Sequence, residues 1–217
     1  MNIPDASTLA ERISRWMRAS VEEAGANGLV FGLSGGIDSA VASALAKMAV
    51  GQKALGLLLP CHSSPESAEH AMLVARKYGI DTVTVDLTSV NDELLRILPG
   101  GEGMALANIR PRLRMTTLYY YGNLYNKLVM GTGNKSELMV GYFTKWGDGG
   151  ADLLPIGGLY KTQVRQLARE LEVPKEIIDK PPTADLWAGQ TDEQELGISY
   201  EQLDAILPAI ESGQVGD

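Results

Sequence analysis

"LVFGLSGGIDSA" (residues 29–40) carries the fold of this chain. An apolar run gives way to small residues, which lead into a helical pattern reaching about residue 50. A buried strand turning directly into a helix opens an α/β unit, and ligands of such folds sit at the carboxyl ends of the strands, beside helix starts. Gly35 and Gly36 carry no Cβ, so backbone amides there can approach an anion closely. The following helix adds the positive end of its dipole, and Ser34 and Ser39 add hydroxyl donors. That composition suits a phosphate cradle; on the glycines alone, a tight strand–helix turn fits equally well. Two phosphate-binding patterns are excluded, because the chain has no G-x-x-x-x-G-K-[ST] run and "GLSGGID" does not supply G-x-G-x-x-G. Asp38 is then the informative residue. A carboxylate among phosphates is repelled unless a hard cation lies between them, and Mg²⁺ is the usual one.

Working outward, residues 7–24 read as an amphipathic helix with Ser7 or Thr8 as its cap. Strands are expected at 29–33, 53–60, 81–87 and 127–131. Between the second and third, Ser63 stands three residues before Glu66, a capping-box spacing, and Pro65 suits a first helical turn. A helical segment to Leu98 and the break "PGGEG" lead into one long helix from about Ala105 to Asn126. The remainder reads as helix and loop: "LYKTQVRQLAREL", a Pro-rich stretch, and an amphipathic helix beginning near Ser199. Apolar strands separated by helices predict an α/β fold with a parallel sheet covered on both faces, in a single domain spanning 1–217. The segments 61–66 and 181–197, with their prolines and glycines, read as candidate lids.

Bulk composition narrows the function. The chain has 217 residues, 45% hydrophobic and 21% charged, as expected of a globular protein with a proper core. No apolar run reaches the ~18–20 residues of a membrane span, and "MNIPDAST" lacks a signal-peptide pattern. A lone cysteine, Cys61, precludes an internal disulfide and predicts a cytoplasmic setting. The net charge of −8 argues against nucleic-acid partners. His62 and His70 lack metal-ligand company, so zinc is not expected.

"SGGIDS" (34–39) resembles the pyrophosphate-binding loop of ATP pyrophosphatases, which cleave ATP between the α- and β-phosphates. Together with "RPRLRM" (110–115), "GTGNKSE" (131–137), "GYFTKWGDGGADLLPIGGLYKTQVRQLA" (141–168) and "PPTADLWAGQTDEQELGISY" (181–200), it resembles the successive signatures of ammonia-dependent NAD synthetases. The similarity spans roughly 28–205 and implies a Rossmann-like adenine-nucleotide α-hydrolase fold. It implies amidation of deamido-NAD by ammonia, with ATP consumed to adenylylate the carboxylate. By the same resemblance ATP falls on Gly32, Leu33, Ser34, Gly35, Gly36, Ile37, Asp38, Ser39, Thr132, Lys161 and Thr183. Asp38, Lys161 and Thr183 take the catalytic roles, Asp38 and Glu137 hold Mg²⁺, and Arg112, Lys145 and Asp152 hold deamido-NAD. A homodimer is implied, with its seam sought on the tyrosine-rich long helix (Tyr119, Tyr120, Tyr121, Tyr125).

Each assignment has a plainer alternative on the residues alone. Asp38 and Glu137 stand at helix starts, where an acid caps or meets the dipole. Arg112, Arg114 and Lys161 fit surface charges, and Asp148 fits either the metal or its glycine-rich turn. Two other functions stay open: a different ligase built on the same loop, and a non-catalytic adenine-nucleotide-binding protein. The chain stops at "ESGQVGD" without the basic His-Lys segment usual in the family, which predicts incomplete closure over deamido-NAD. A glutamine-hydrolysing unit would need its own nucleophilic cysteine and many further residues, so the expected nitrogen source is free ammonia, or ammonia received from a separate subunit.

Overall fold

Four parallel strands run in the order β3–β2–β1–β4 in the computed structural model, which describes residues 3, 5–183 and 189–213. They are β1 (Leu29–Gly32), β2 (Ala54–Leu58), β3 (Asp81–Thr84) and β4 (Leu128–Met130). Leu29 pairs with Ala54 on one side and Leu128 on the other, so β1 is interior and its side chains are buried on both faces. Leu29 and Phe31 point into one core with α1 (Ala6–Glu23), α2 (Ile37–Val50) and α3 (Pro65–Tyr78). Val30 points into a second core. There it meets Leu57, Leu59, Cys61, Leu87 and Val129, and half-buried side chains beyond them. Each such apolar side chain, once buried, contributes roughly 1.5–3 kcal/mol. The sheet is therefore covered on both faces, as predicted.

Strand order positions the ligand site. The chain runs from β1 outward through β2 and β3, then crosses back to lay β4 on the other side of β1. At that reversal the loops leaving β1 and β4 part, opening a crevice at the carboxyl ends of both.

Several boundaries differ from the sequence reading. Asp5, not Ser7 or Thr8, caps α1, accepting the Thr8 amide at 3.0 Å. Ser64 rather than Ser63 caps α3, which puts Pro65 at the first helical position and leaves the Ser63 hydroxyl to Cys61 N and Arg114. After α4 (Thr88–Ile97), the expected long helix is two: α5 (Met104–Ala107) and α6 (Ile109–Tyr125), with Asn108 between. Pro111 explains the break, because it has no N–H to bond back to the preceding turn and is tolerated only near a helix start. Strands are shorter than expected at their ends. Of the predicted lid 181–197, residues 184–188 lie outside the described residues, as do residues 214–217 of the final stretch.

The C-terminal half adds α7 (Lys135–Val140), α8 (Lys161–Glu170), α9 (Lys175–Ile178), α10 (Asp192–Leu196) and α11 (Tyr200–Glu211). Ser199 caps α11, where the sequence places its start. One buried acid joins three of these helices: Asp204 accepts the Ser136 hydroxyl with one oxygen and the Thr162 amide, at 2.7 Å, with the other. Among the described residues no helix is long and apolar enough to cross a membrane.

Asp204→Ala strands two buried donors, at a cost of about 2–3 kcal/mol. We expect a calorimetric Tm roughly 5–10 °C below wild type.

Candidate active site

The crevice between β1 and β4 is a cleft of about 650 Å³. Its floor is the β1–α2 turn. Gly32, Leu33, Ser34, Gly36, Ile37, Asp38 and Ser39 line it, and Gly36 is the N-cap of α2, so the amide end of a fourteen-residue helix faces the cavity. Ser34 and Ser39 hydroxyls pair at 3.0 Å, and the Gly36 amide donates to Ser34 Oγ at 3.3 Å. Gly35 does not line the cleft. Its φ of +79° and a would-be Cβ only 2.4 Å from the Ser67 carbonyl show that its bareness serves the packing of the turn against α3.

Three elements converge over this turn. Asp38 rises from the first turn of α2, Glu137 from α7 and Lys161 from the first position of α8. The Lys161 ammonium is buried and donates to Asp38 Oδ2 and, at 3.3 Å, to Glu137 Oε1. It also lies 5.0 Å from the centroid of the Tyr200 ring. Burial works against the charge on Lys161, but Asp38 and Glu137 outweigh it and push its pKa up. Burial likewise pushes the Glu137 carboxyl up to about 7, with Lys161 pulling the other way. Of the remaining assignments, Thr132 and Thr183 line the cleft. Arg112 and Lys145 line it as well, and Arg112 Nε donates to the Lys145 carbonyl at 3.3 Å. Asp152 does not: it is exposed, and its carboxylate accepts Val129 N at 2.7 Å and the Tyr119 hydroxyl at 3.0 Å, closing the outer edge of β4.

The structure adds side chains that sequence reasoning passed over. Asn134 is wholly buried between Asp38 and Glu137. Tyr200 stands 3.2 Å from Asp192 Oδ2 and 3.5 Å from Glu137 Oε1, while Tyr142 donates to Asp192 Oδ1 and to Glu195. Burial raises the Asp192 carboxyl, which lines the cleft. Only Asn134 had a sequence signal, as the first residue of an Asn-x-x-Glu capping box; the others meet across fifty or more positions or through a fold-dependent turn. Asp148 accepts the Thr144 amide at 2.9 Å and lines the cleft, its carboxyl raised by burial.

A parallel sheet with this loop at its switch point defines an α/β nucleotide-binding enzyme of the ATP-pyrophosphatase, or PP-loop, type. Residues 9–217 match the family described as NAD synthase, and the chain belongs to that family. An "NH(3)-dependent NAD(+) synthetase" of Carboxydothermus hydrogenoformans is 50% identical over 202 residues, 91% of this chain and 83% of the relative. Among solved structures, NMN synthetase from Francisella tularensis superposes with a TM-score of 0.91 at 38% identity, covering 94% of this chain and 87% of that one. NH3-dependent NAD synthetase from Campylobacter jejuni, solved with a nitrate ion, gives a TM-score of 0.85 at 30% identity, covering 98% and 86%.

The buried Glu137 predicts a pH signature in the ligand-free protein. Between pH 4.5 and about 7 the folded state holds a proton that the unfolded chain has released, so stability falls as pH rises through that window and levels off above it. Thermal melts in chelator should show a decline of roughly 5 °C across the window in wild type, and a flatter profile in Glu137→Gln.

Proposed function

We propose that this chain amidates deamido-NAD with ammonia, at the cost of ATP cleaved to AMP and pyrophosphate, the closing step of NAD synthesis. Family membership supports the ligase chemistry, and one observation carries the reading to this cleft: a buried ammonium clasped by two acids over a strand–helix turn built for phosphates. Amide formation from a carboxylate needs a better leaving group than hydroxide. The pyridine carboxylate oxygen attacks the α-phosphorus, the bond to the bridging oxygen breaks, and pyrophosphate departs. Ammonia then adds to the acyl carbon, loses a proton and expels AMP, which keeps one carboxylate oxygen.

The residues divide this work by charge. Amides of the β1–α2 turn and the hydroxyls of Ser34 and Ser39 receive the phosphates, and Thr132 and Thr183 bind from the far side. Negative charge accumulates on the departing pyrophosphate, where the Lys161 ammonium is already desolvated and aimed. Magnesium fits the donor set. Among the described residues no three His, Cys, Asp or Glu cluster as a metal cage, but Asp38 and Glu137 form the two-carboxylate pair that Mg²⁺ takes when phosphates and water complete its shell. Bound there, it would neutralise the phosphates as a Lewis acid. Arg112 and Lys145 supply positive charge for the acceptor's phosphates, and we keep Asp152 as a third acceptor contact. Nitrogen arrives as free ammonia.

We further infer one domain working as a homodimer in the cytoplasm. The outward side of α6 supports a seam, with Tyr120 62% and Leu124 54% exposed, whereas Tyr119 and Tyr121 turn inward onto the sheet. Cys61, a buried free thiol, suits a reducing compartment.

The deciding assay follows AMP with ammonium as sole nitrogen source and either deamido-NAD or nicotinate mononucleotide as acceptor, the latter because the Francisella neighbour is an NMN synthetase. We expect turnover with deamido-NAD, and ¹⁸O placed in its carboxylate should emerge in AMP. Label retained in the amide alone, or preference for the mononucleotide, would overturn the assignment. Lys161→Ala should lose about 10²-fold or more in kcat, as expected for a donor that acts on developing charge, and Asp38→Asn should abolish turnover with the fold intact. A loss below threefold for Lys161→Ala removes it from the mechanism.

A further inference from the structure

The two acids over the floor of the cleft come from different helices, and a carboxylate on a rotatable side chain does not hold its oxygens in place unaided. We propose that Asn134 is a positioning residue whose buried side-chain amide ties the Asp38 carboxylate to the backbone of Glu137, holding Asp38 beside Glu137 in the orientation that adenylyl transfer requires. The proposal rests on the function read above.

Asn134 ends the turn after β4 and is 0% exposed. Its Oδ1 accepts the Glu137 amide at 3.0 Å, its own backbone amide donates to Glu137 Oε2 at 3.2 Å, and its Nδ2 donates to Asp38 Oδ1 at 3.2 Å. These contacts fix one another. The Glu137 N–H demands the oxygen, so the nitrogen is delivered to the Asp38 side, where only an acceptor waits; a flipped amide would set N–H against N–H and oxygen against carboxylate. Lys161 holds the other oxygen of Asp38 and the other oxygen of Glu137. Each carboxylate is thus gripped at both oxygens, once by Asn134 and once by Lys161, while side-chain exposures of 18% for Asp38 and 16% for Glu137 leave an opening toward the cleft.

Helix capping alone does not account for this residue. Ser, Thr and Asp cap helices as well as Asn does. Accepting from the Glu137 N–H while donating to the Asp38 carboxylate takes an acceptor and a donor on separate atoms that span the two partners; a Ser or Thr hydroxyl has both capacities on one shorter atom, and glutamine is one methylene too long to stand at this cap.

Asn134→Ser and Asn134→Asp keep a capping oxygen but lose the donor to Asp38, so they separate the two roles. Thermal unfolding, steady-state AMP formation corrected for folded fraction, and calorimetric binding of ATP with Mn²⁺ in the absence of acceptor are measured for both. For Asn134→Ser we expect a Tm within about 4 °C of wild type, kcat reduced about tenfold, KM for deamido-NAD within about twofold, and ATP–Mn²⁺ affinity reduced about tenfold, the scale of one lost hydrogen bond to a charged group. Asn134→Asp should be worse than Asn134→Ser in kcat and in binding, because it sets an acid against Asp38; a pure cap predicts the two to be equal. Unchanged kcat and binding per folded molecule in Asn134→Ser, with or without a fall in Tm, overturns the proposal. Should wild type fail to amidate deamido-NAD, the functional reading falls, while the acceptor-free binding comparison still decides the role of Asn134.

Discussion

The charge cluster over the floor of the cleft depends on a single ammonium, that of Lys161, held out of water between Asp38 and Glu137. Such a cluster is not retained for stability. Desolvating three charges costs several kcal/mol per ion, and their mutual attraction only about repays it, so an apolar trio of the same volume would fold at least as well. On the proposed function, the cost makes sense because the charges meet a polyphosphate. An ammonium already stripped of water needs no reorganisation when negative charge builds on a leaving group, and the acids that stabilise it while the cleft is empty match the donors magnesium uses.

Holding that ammonium is a task for tertiary structure. Lys161 opens α8, and its backbone N–H donates to the Ser136 hydroxyl of α7 at 2.9 Å. Ser136 in turn donates to Asp204 of α11, which also accepts the next amide of α8. Three helix termini are thereby tied in register by buried polar bonds, and Tyr200, at the head of α11, lays its ring beside the ammonium. The C-terminal helices act as the frame that aims a lysine at the β1–α2 turn.

Charge of both signs lines the cleft. Asp192 and Glu195, bridged by the Tyr142 hydroxyl, bring acids to the cleft, and burial raises the Asp192 carboxyl against the pull of the hydroxyls that donate to it. Arg112, Arg114 and Lys145 line the same cleft. A chain with a net charge of −8 therefore still carries local positive charge in its cleft, and on the proposed function that is the charge an anionic acceptor meets, because only the field within a Debye length matters.

Local chemistry made much of this protein legible in its sequence. Apolar runs bounded by turns announced the four strands, and "LSGGIDS" marked the strand–helix junction that floors the cleft, because both depend on neighbours within a few residues. Family signatures then named Asp38, Glu137 and Lys161, and these do meet in space. What no run of letters displayed was who holds whom. Asn134 touching Asp38 across 96 positions, Tyr200 touching Glu137 across 63, Asp204 pinning α8, and Asp152 spent on the edge of β4 are consequences of how helices pack on a twisted sheet. Gly35 makes the same point: the sequence offered it as room for a ligand, and α3 is what occupies that room. Short-range pattern fixes what each segment becomes; buried polar contacts, which need two distant segments at hydrogen-bond distance at once, exist only after the chain has folded.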